Sequence, residues 1–153
     1  MRLTKFSDYA LRLLLYTHAA GGRRVTVEET AAAYRISRAH VMKVVNSLTR
    51  AGYLTALRGR SGGLVLARPA EDIRLGEVVR ATEPDFAIVE CFSRTNQCVL
   101  TGRCRRARVL DLALTAFLAE LNQHTLASVA LKRKDFRAFQ TARRPTASRR
   151  ATA

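Results

Sequence analysis

The hydrophobic positions of the chain first fall into a helical rhythm. In "SDYALRLLLYTHAAGG", Leu11, Leu14, Leu15 and His18 recur at i, i+3, i+4 and i+7, the spacing that lines one face of an α-helix. This predicts a helix over Ser7–Ala20, ended by Gly21-Gly22. The next segment, "TVEETAAAYRIS", pairs Thr26 with Glu29 in a capping box that satisfies two orphan backbone donors of a short alanine-rich helix. A third helix follows almost at once, capped by Ser37. Its buried stripe is Val41, Val44, Val45 and Leu48, with Arg38, His40, Lys43, Asn46, Ser47 and Arg50 on other faces.

From Tyr53 the pattern changes. "YLTALRGRSGGLVLARP" reads as a strand, a glycine-rich turn and a second strand stopped by Pro69. Residues 71–82 suggest a short helix closed by Pro84. From Arg105 to Leu131 the helical period returns, with Val109, Leu112, Ala113, Ala116, Phe117 and Leu121 as an apolar stripe. That much apolar surface on one helix at the edge of a small unit suits packing on a second copy. Two short helices in tight succession followed by a hairpin make a winged helix-turn-helix. The expected fold is therefore mainly α with a small β-hairpin wing and a long C-terminal dimerisation helix. The expected organisation is a DNA-binding domain over 1–83, a ligand-binding loop over 84–104, the dimerisation helix over 105–131, and a basic, disordered tail over 132–153.

Composition sharpens this picture. A length of 153 residues suits one principal unit, and 48% hydrophobic residues suit a packed core. The net charge of +15 calls for a polyanionic partner. The tail contributes much of the excess, since it holds eight Lys or Arg against Asp135. The basic and apolar start of the chain imitates a secretion signal, but Asp8 and Arg12 interrupt its apolar run. A cytoplasmic protein with no membrane segment is expected, and there a disulfide framework would be unusual.

Between Glu29 and Glu71 there is no acidic residue, while Arg35, Arg38, Lys43, Arg50, Arg58, Arg60 and Arg68 are basic. This window covers the third helix and the wing, so it points to double-stranded DNA. The start of the recognition helix would bring Ser37, Arg38, His40 and Lys43 to bases or phosphates. Arg58 and Arg60, on the glycine-rich wing tip, would enter a minor groove. Arg50 and Arg68 have weaker claims.

All three cysteines, Cys91, Cys98 and Cys104, fall in "CFSRTNQCVLTGRC". There is no C-x-x-C pair, which removes the thioredoxin-like signature and weakens a structural zinc site. The histidines lie elsewhere, on predicted helices. Surrounding arginines favour thiolates, and three thiolates in a loop fit an iron-sulfur cluster with a fourth ligand to be found elsewhere. Asp8 is a candidate for that position, because it shares the helical face of Leu11 and Leu15, although a carboxylate there also caps the helix dipole. A Cys/His dyad, a phosphate-binding glycine loop and a paired-carboxylate site are all missing, so an enzyme is not expected.

"MRLTKFSDYALR", the helix-turn-helix, the wing "RGRSGGLVLARP" and the late three-cysteine cluster together resemble the NsrR/IscR family of winged-helix iron-sulfur regulators over residues 1–130. Where IscR sequences carry a histidine three positions after the last cysteine, this chain has Ala107, so the nitric-oxide-sensing NsrR type is the better match. The resemblance implies a homodimeric repressor bound to an inverted-repeat operator. It also implies a 4Fe-4S or 2Fe-2S cluster held by Cys91, Cys98, Cys104 and Asp8 of the other subunit, with nitric oxide as the signal. A zinc or thiol switch, or an iron or redox sensor on the same scaffold, is the alternative.

Overall fold

The structure, a computed structural model, describes residues 2–59 and 62–131. The basic tail and the Arg60 wing position lie outside the described residues.

Helix α1, Lys5–Ala19, begins slightly earlier than the apolar spacing predicts, because Thr4 caps it: its side chain accepts the Ser7 N–H at 3.2 Å. Its deepest face is Ser7, Ala10, Leu13, Leu14, Tyr16 and Thr17. Leu11 and Leu15 pack only partly buried against that core, and Asp8, on their side, is half-exposed. The expected stripe is thus the flank of the buried face, where a carboxylate meets solvent.

Helix α2, Val27–Tyr34, carries the capping box in full. Thr26 accepts the Glu29 N–H at 3.0 Å, and the Glu29 carboxylate accepts the Thr26 N–H in return. The turn into α3, Arg38–Arg50, is made by Arg35 in the left-handed region at φ 54°, with the Ile36 N–H bonded back to the Ala31 carbonyl at 3.0 Å. Ile36 then drops into the core. Ser37 caps α3, and Val41, Val44, Val45 and Leu48 are its buried residues, as the pattern predicts.

Strands β1, Leu54–Leu57, and β2, Gly63–Leu66, form an antiparallel hairpin with Leu54 opposite Leu66 and Leu57 opposite Gly63. Its root is fixed by reciprocal hydrogen bonds between Val25 and Leu64, at 3.0 and 2.8 Å. The wing therefore hangs from the α1–α2 connection as well as from α3. The architecture is mainly helical with a two-stranded wing, as expected.

The segment read as one helix over 71–82 divides into a 3-10 turn, Ala70–Asp72, and helix α4, Leu75–Thr82. Extended backbone at Ile73, which is fully buried, separates them. The long helix α5, Arg105–Gln123, stops short of the expected Leu131. His124 turns extended, Thr125 bridges to Arg74, and the Leu126 N–H binds the Ile73 carbonyl at 2.8 Å. Burial of Leu126 in the core competes successfully with another helical turn.

Helix α5 also has two apolar faces rather than the single predicted stripe. Leu118, with the half-buried Leu110 and Leu114, lies on the face that packs on α4. Val109, Leu112, Ala113 and Ala116, members of the predicted stripe, face outward, with Val109 64% and Leu112 60% exposed. No helix among the described residues is long and apolar enough to cross a membrane.

Candidate nucleic-acid interface and thiol loop

Helix α3 buries one side against α1 and β1, and this fixes which residues it offers to a partner. At 100° per residue, the line opposite Val41, Val44, Val45 and Leu48 runs through Ala39, Lys43, Asn46 and Arg50, with Met42 beside it toward the wing, and all five are exposed. Arg38 and His40 sit on the two flanks. The Arg38 Nε donates to Glu28 at 2.7 Å, and this exposed pair holds the Glu28 carboxyl below its ordinary pKa. On the other flank, the His40 Nδ1 lies 2.8 Å from the capping Ser37 Oγ, and its ring tilts at 55° against Tyr9, 6.4 Å away. Ser37, Arg38, His40 and Lys43 are therefore all at the surface around the start of α3.

The wing rises beside α3 and leaves a groove of about 350 Å³, lined in part by Glu28, Arg38, Met42, Asn46 and Leu57. Met42 and Leu57 are 37% and 38% exposed. Arg58 is exposed just past the end of β1. At the tip, a side chain on Gly62 would run into the Leu57 carbonyl oxygen, so the turn closes only with glycine there. The structure separates the two weaker basic candidates. Arg50 is exposed on the outward line, whereas Arg68 stacks over the Tyr53 ring at 4.4 Å and braces the wing's base.

The cysteines occupy an irregular loop between α4 and α5. Cys91 lies in a 3-10 turn, Glu90–Phe92. The Cys98 N–H donates to the Asn96 side-chain oxygen at 2.8 Å, and its carbonyl accepts the Thr101 hydroxyl at 2.7 Å. Gly102, at φ 81°, turns the chain toward Cys104, which caps α5. There the Ala107 N–H holds the Cys104 thiol below its ordinary pKa against the effect of partial desolvation, with the Arg106 N–H and guanidinium adding to the fall. All three thiols are free and half-buried. Among the described residues, no three Cys, His, Asp or Glu side chains converge into a metal site.

Asp8 is held by Arg12 of its own helix. The Arg12 Nε reaches one carboxylate oxygen at 3.0 Å, and its terminal nitrogen the other at 2.8 Å. The same guanidinium lies 5.9 Å from the Tyr34 ring at the end of α2. The loop and α1 meet elsewhere, through Glu83: its carboxylate accepts from Thr4, while Thr82 Oγ1 and Ser7 Oγ approach to 2.8 Å in the interior.

Comparison with known proteins decides the class. Residues 3–132 match the Rrf2 family, described as an iron-dependent transcriptional regulator. The chain belongs to the Rrf2 family. It is 43% identical over 141 residues to the HTH-type transcriptional regulator NsrR of Shouchella clausii, covering 91% of this chain and 95% of that protein. Its fold is that of CymR, the global cysteine regulator of B. subtilis (TM-score 0.69, 21% identity, 85% of this chain and 96% of that one). T. potens IscR is also similar (TM-score 0.66, 20% identity, 84% and 85%). As an Rrf2 protein the chain is a DNA-binding transcriptional regulator and not an enzyme.

For an Rrf2 regulator, the sequence missed two features of the surface. It set Asn46 off the buried stripe without naming it as a contact and did not single out Met42, yet Asn46 lies on the outward line and both line the wing groove. Rotation about the helix axis carries that signal, and a list of basic residues does not. It also gave no sign of the Thr4–Glu83 contact, which joins positions too far apart for any periodicity to register.

Proposed function

We propose that this Rrf2 protein is a homodimeric, iron-sulfur-dependent repressor of the NsrR type that senses nitric oxide and releases its operator. The observation that carries the reading is the confinement of every thiol to one loop, ended by Cys104 at the N-terminus of α5. Three half-buried sulfurs, one held toward the thiolate by backbone N–H groups and a cation, are a donor set suited to iron and sulfide. Cys91, Cys98 and Cys104 would hold the cluster, and Asp8 of the partner subunit would supply the remaining oxygen ligand. The cluster would bring iron that nitric oxide attacks, and a hard carboxylate is its most exchangeable ligand. The similarity to NsrR of Shouchella clausii supports the same reading.

The chain's own residues give the rest. The outward apolar face of α5, Val109, Leu112, Ala113 and Ala116, packs on its twin and sets the two α3 helices at the spacing of an inverted repeat. Asp8 is held by Arg12, whose guanidinium lies beside Tyr34 of the helix-turn-helix, and ligating iron would take the carboxylate from that pair. Loss of that ligand would return Asp8 to Arg12 and shift α1 against the α3 helix it packs on. Ser37, Lys43, Arg58 and Arg60 contact the operator, with Arg38 and His40 approaching it from the flanks of α3.

A thiol-oxidation switch is the second reading, favoured by the lowered pKa of Cys104. Anaerobic purification with iron, sulfide and zinc analysis separates the two. Coloured protein with iron and acid-labile sulfide, lost in Cys98→Ser, is expected. Colourless protein with stoichiometric zinc, or with neither metal nor sulfide, contradicts the cluster.

A further inference from the structure

The family establishes DNA binding, and the packing of α3 indicates which base pairs this chain selects. Of the outward line, Lys43 and Arg50 are cations, suited to phosphates or guanine. Asn46, on the same line, and Met42, beside it toward the wing, differ. The Asn46 carboxamide is exposed and has no partner among the described residues. It carries a donor and an acceptor side by side, the pattern that matches N6 and N7 of adenine in the major groove. Met42, one turn earlier, is exposed and lines the groove together with Leu57. The apolar group a major groove offers to such a surface is the thymine methyl. Arg38 and His40, by contrast, are turned aside to Glu28 and to Ser37 and Tyr9.

We infer that Asn46 and Met42 read neighbouring A·T pairs in each half-site, Asn46 by hydrogen bonds to adenine and Met42 by contact with a thymine methyl. One helical turn advances about 5.4 Å, and successive base pairs rise about 3.4 Å. The two side chains therefore address pairs one or two steps apart. Lys43 lies between them in sequence and supplies charge without choosing a base.

The test starts from duplexes selected out of a randomised pool by the full chain. Each thymine of the winning half-site is then replaced by deoxyuridine, which removes only the methyl group. One replacement should weaken binding roughly three- to fivefold, the effect of about one buried methyl-sized group, and have no further effect on Met42→Ala. Asn46→Ala should weaken binding to the selected site about tenfold or more. It should also lose the A·T preference at one pair and keep the slope of log affinity against log salt. Both residues are exposed, so an unchanged thermal transition verifies that the variants fold. Equal weakening of all sequences with a shallower salt slope would make Asn46 a phosphate contact and overturn the inference, as would indifference to deoxyuridine. Failure of the full chain to enrich any duplex would instead count against regulation through DNA altogether.

Discussion

The Glu83 carboxylate accepts two hydrogen bonds from Thr4, one from its backbone N–H at 2.9 Å and one from its hydroxyl at 3.1 Å. Thr4 caps α1, and Glu83 is the last residue before the segment that carries the cysteines. The bond thus fastens the root of the thiol loop to the start of the helix that bears Asp8. Removing the acceptor leaves a part-buried N–H unpaired, so Glu83→Ala should destabilise the fold by about 1–3 kcal/mol. Glu83→Gln, which keeps an acceptor, should lose less. Urea unfolding with amide exchange of residues 4–8 measures both, and equal stability of Glu83→Ala and the parent would refute the clamp.

Gly76 of α4 lies against Asn122 and the Leu118 carbonyl of α5, where a Cβ would collide with both. Gly76→Ala should therefore force α4 and α5 apart and cost roughly 1–3 kcal/mol. An unchanged melting temperature would contradict the close crossing.

Glu29 makes stability depend on pH. Burial alone would raise its pKa, but the Arg23 guanidinium and then the Tyr16 hydroxyl, at 2.8 Å, outweigh burial and leave it below the ordinary 4.5. The unfolded chain then takes up a proton at higher pH than the folded one. The stabilisation is present above about pH 4.5 and disappears as pH falls through the folded value. Denaturation curves should show the parent losing more stability than Glu29→Gln as pH drops from about 5 to 3; parallel curves would remove Glu29 from this role.

The outward face of α5 predicts association. Leu112→Glu places a charge at the centre of Val109, Ala113 and Ala116 without touching Leu118. It should give a folded monomer in sedimentation analysis, with greatly weakened binding to an inverted repeat. A stable dimer of this variant would place the interface elsewhere.

Much of this was legible in the sequence. The α3 stripe, the Thr26–Glu29 box and the hairpin are local, and each follows from spacing within a few residues. The thiol loop was legible as chemistry, because three cysteines in a short segment need no fold to be noticed. What escaped depends on distant partners. Leu126 leaves the helical path because the pocket beside Ile73 accepts it, and only tertiary packing creates that pocket. The face of α5 divided for a related reason: Leu110, Leu114 and Leu118 are no more apolar than Leu112, and the position of α4 determines which of them is covered. The partners that hold the Arg38 and His40 side chains likewise depend on where Glu28 and Tyr9 stand.

The most direct measurement of the central claim is a nitric oxide titration of the anaerobic holo-protein, following the cluster absorption and binding to a selected inverted-repeat duplex in the same samples. The account predicts that bleaching of the cluster and release of the duplex proceed together. It also predicts that Asp8→Ala changes operator affinity before nitric oxide is added. Release without a cluster signal, or a bleached cluster with the duplex still bound at full affinity, would contradict it.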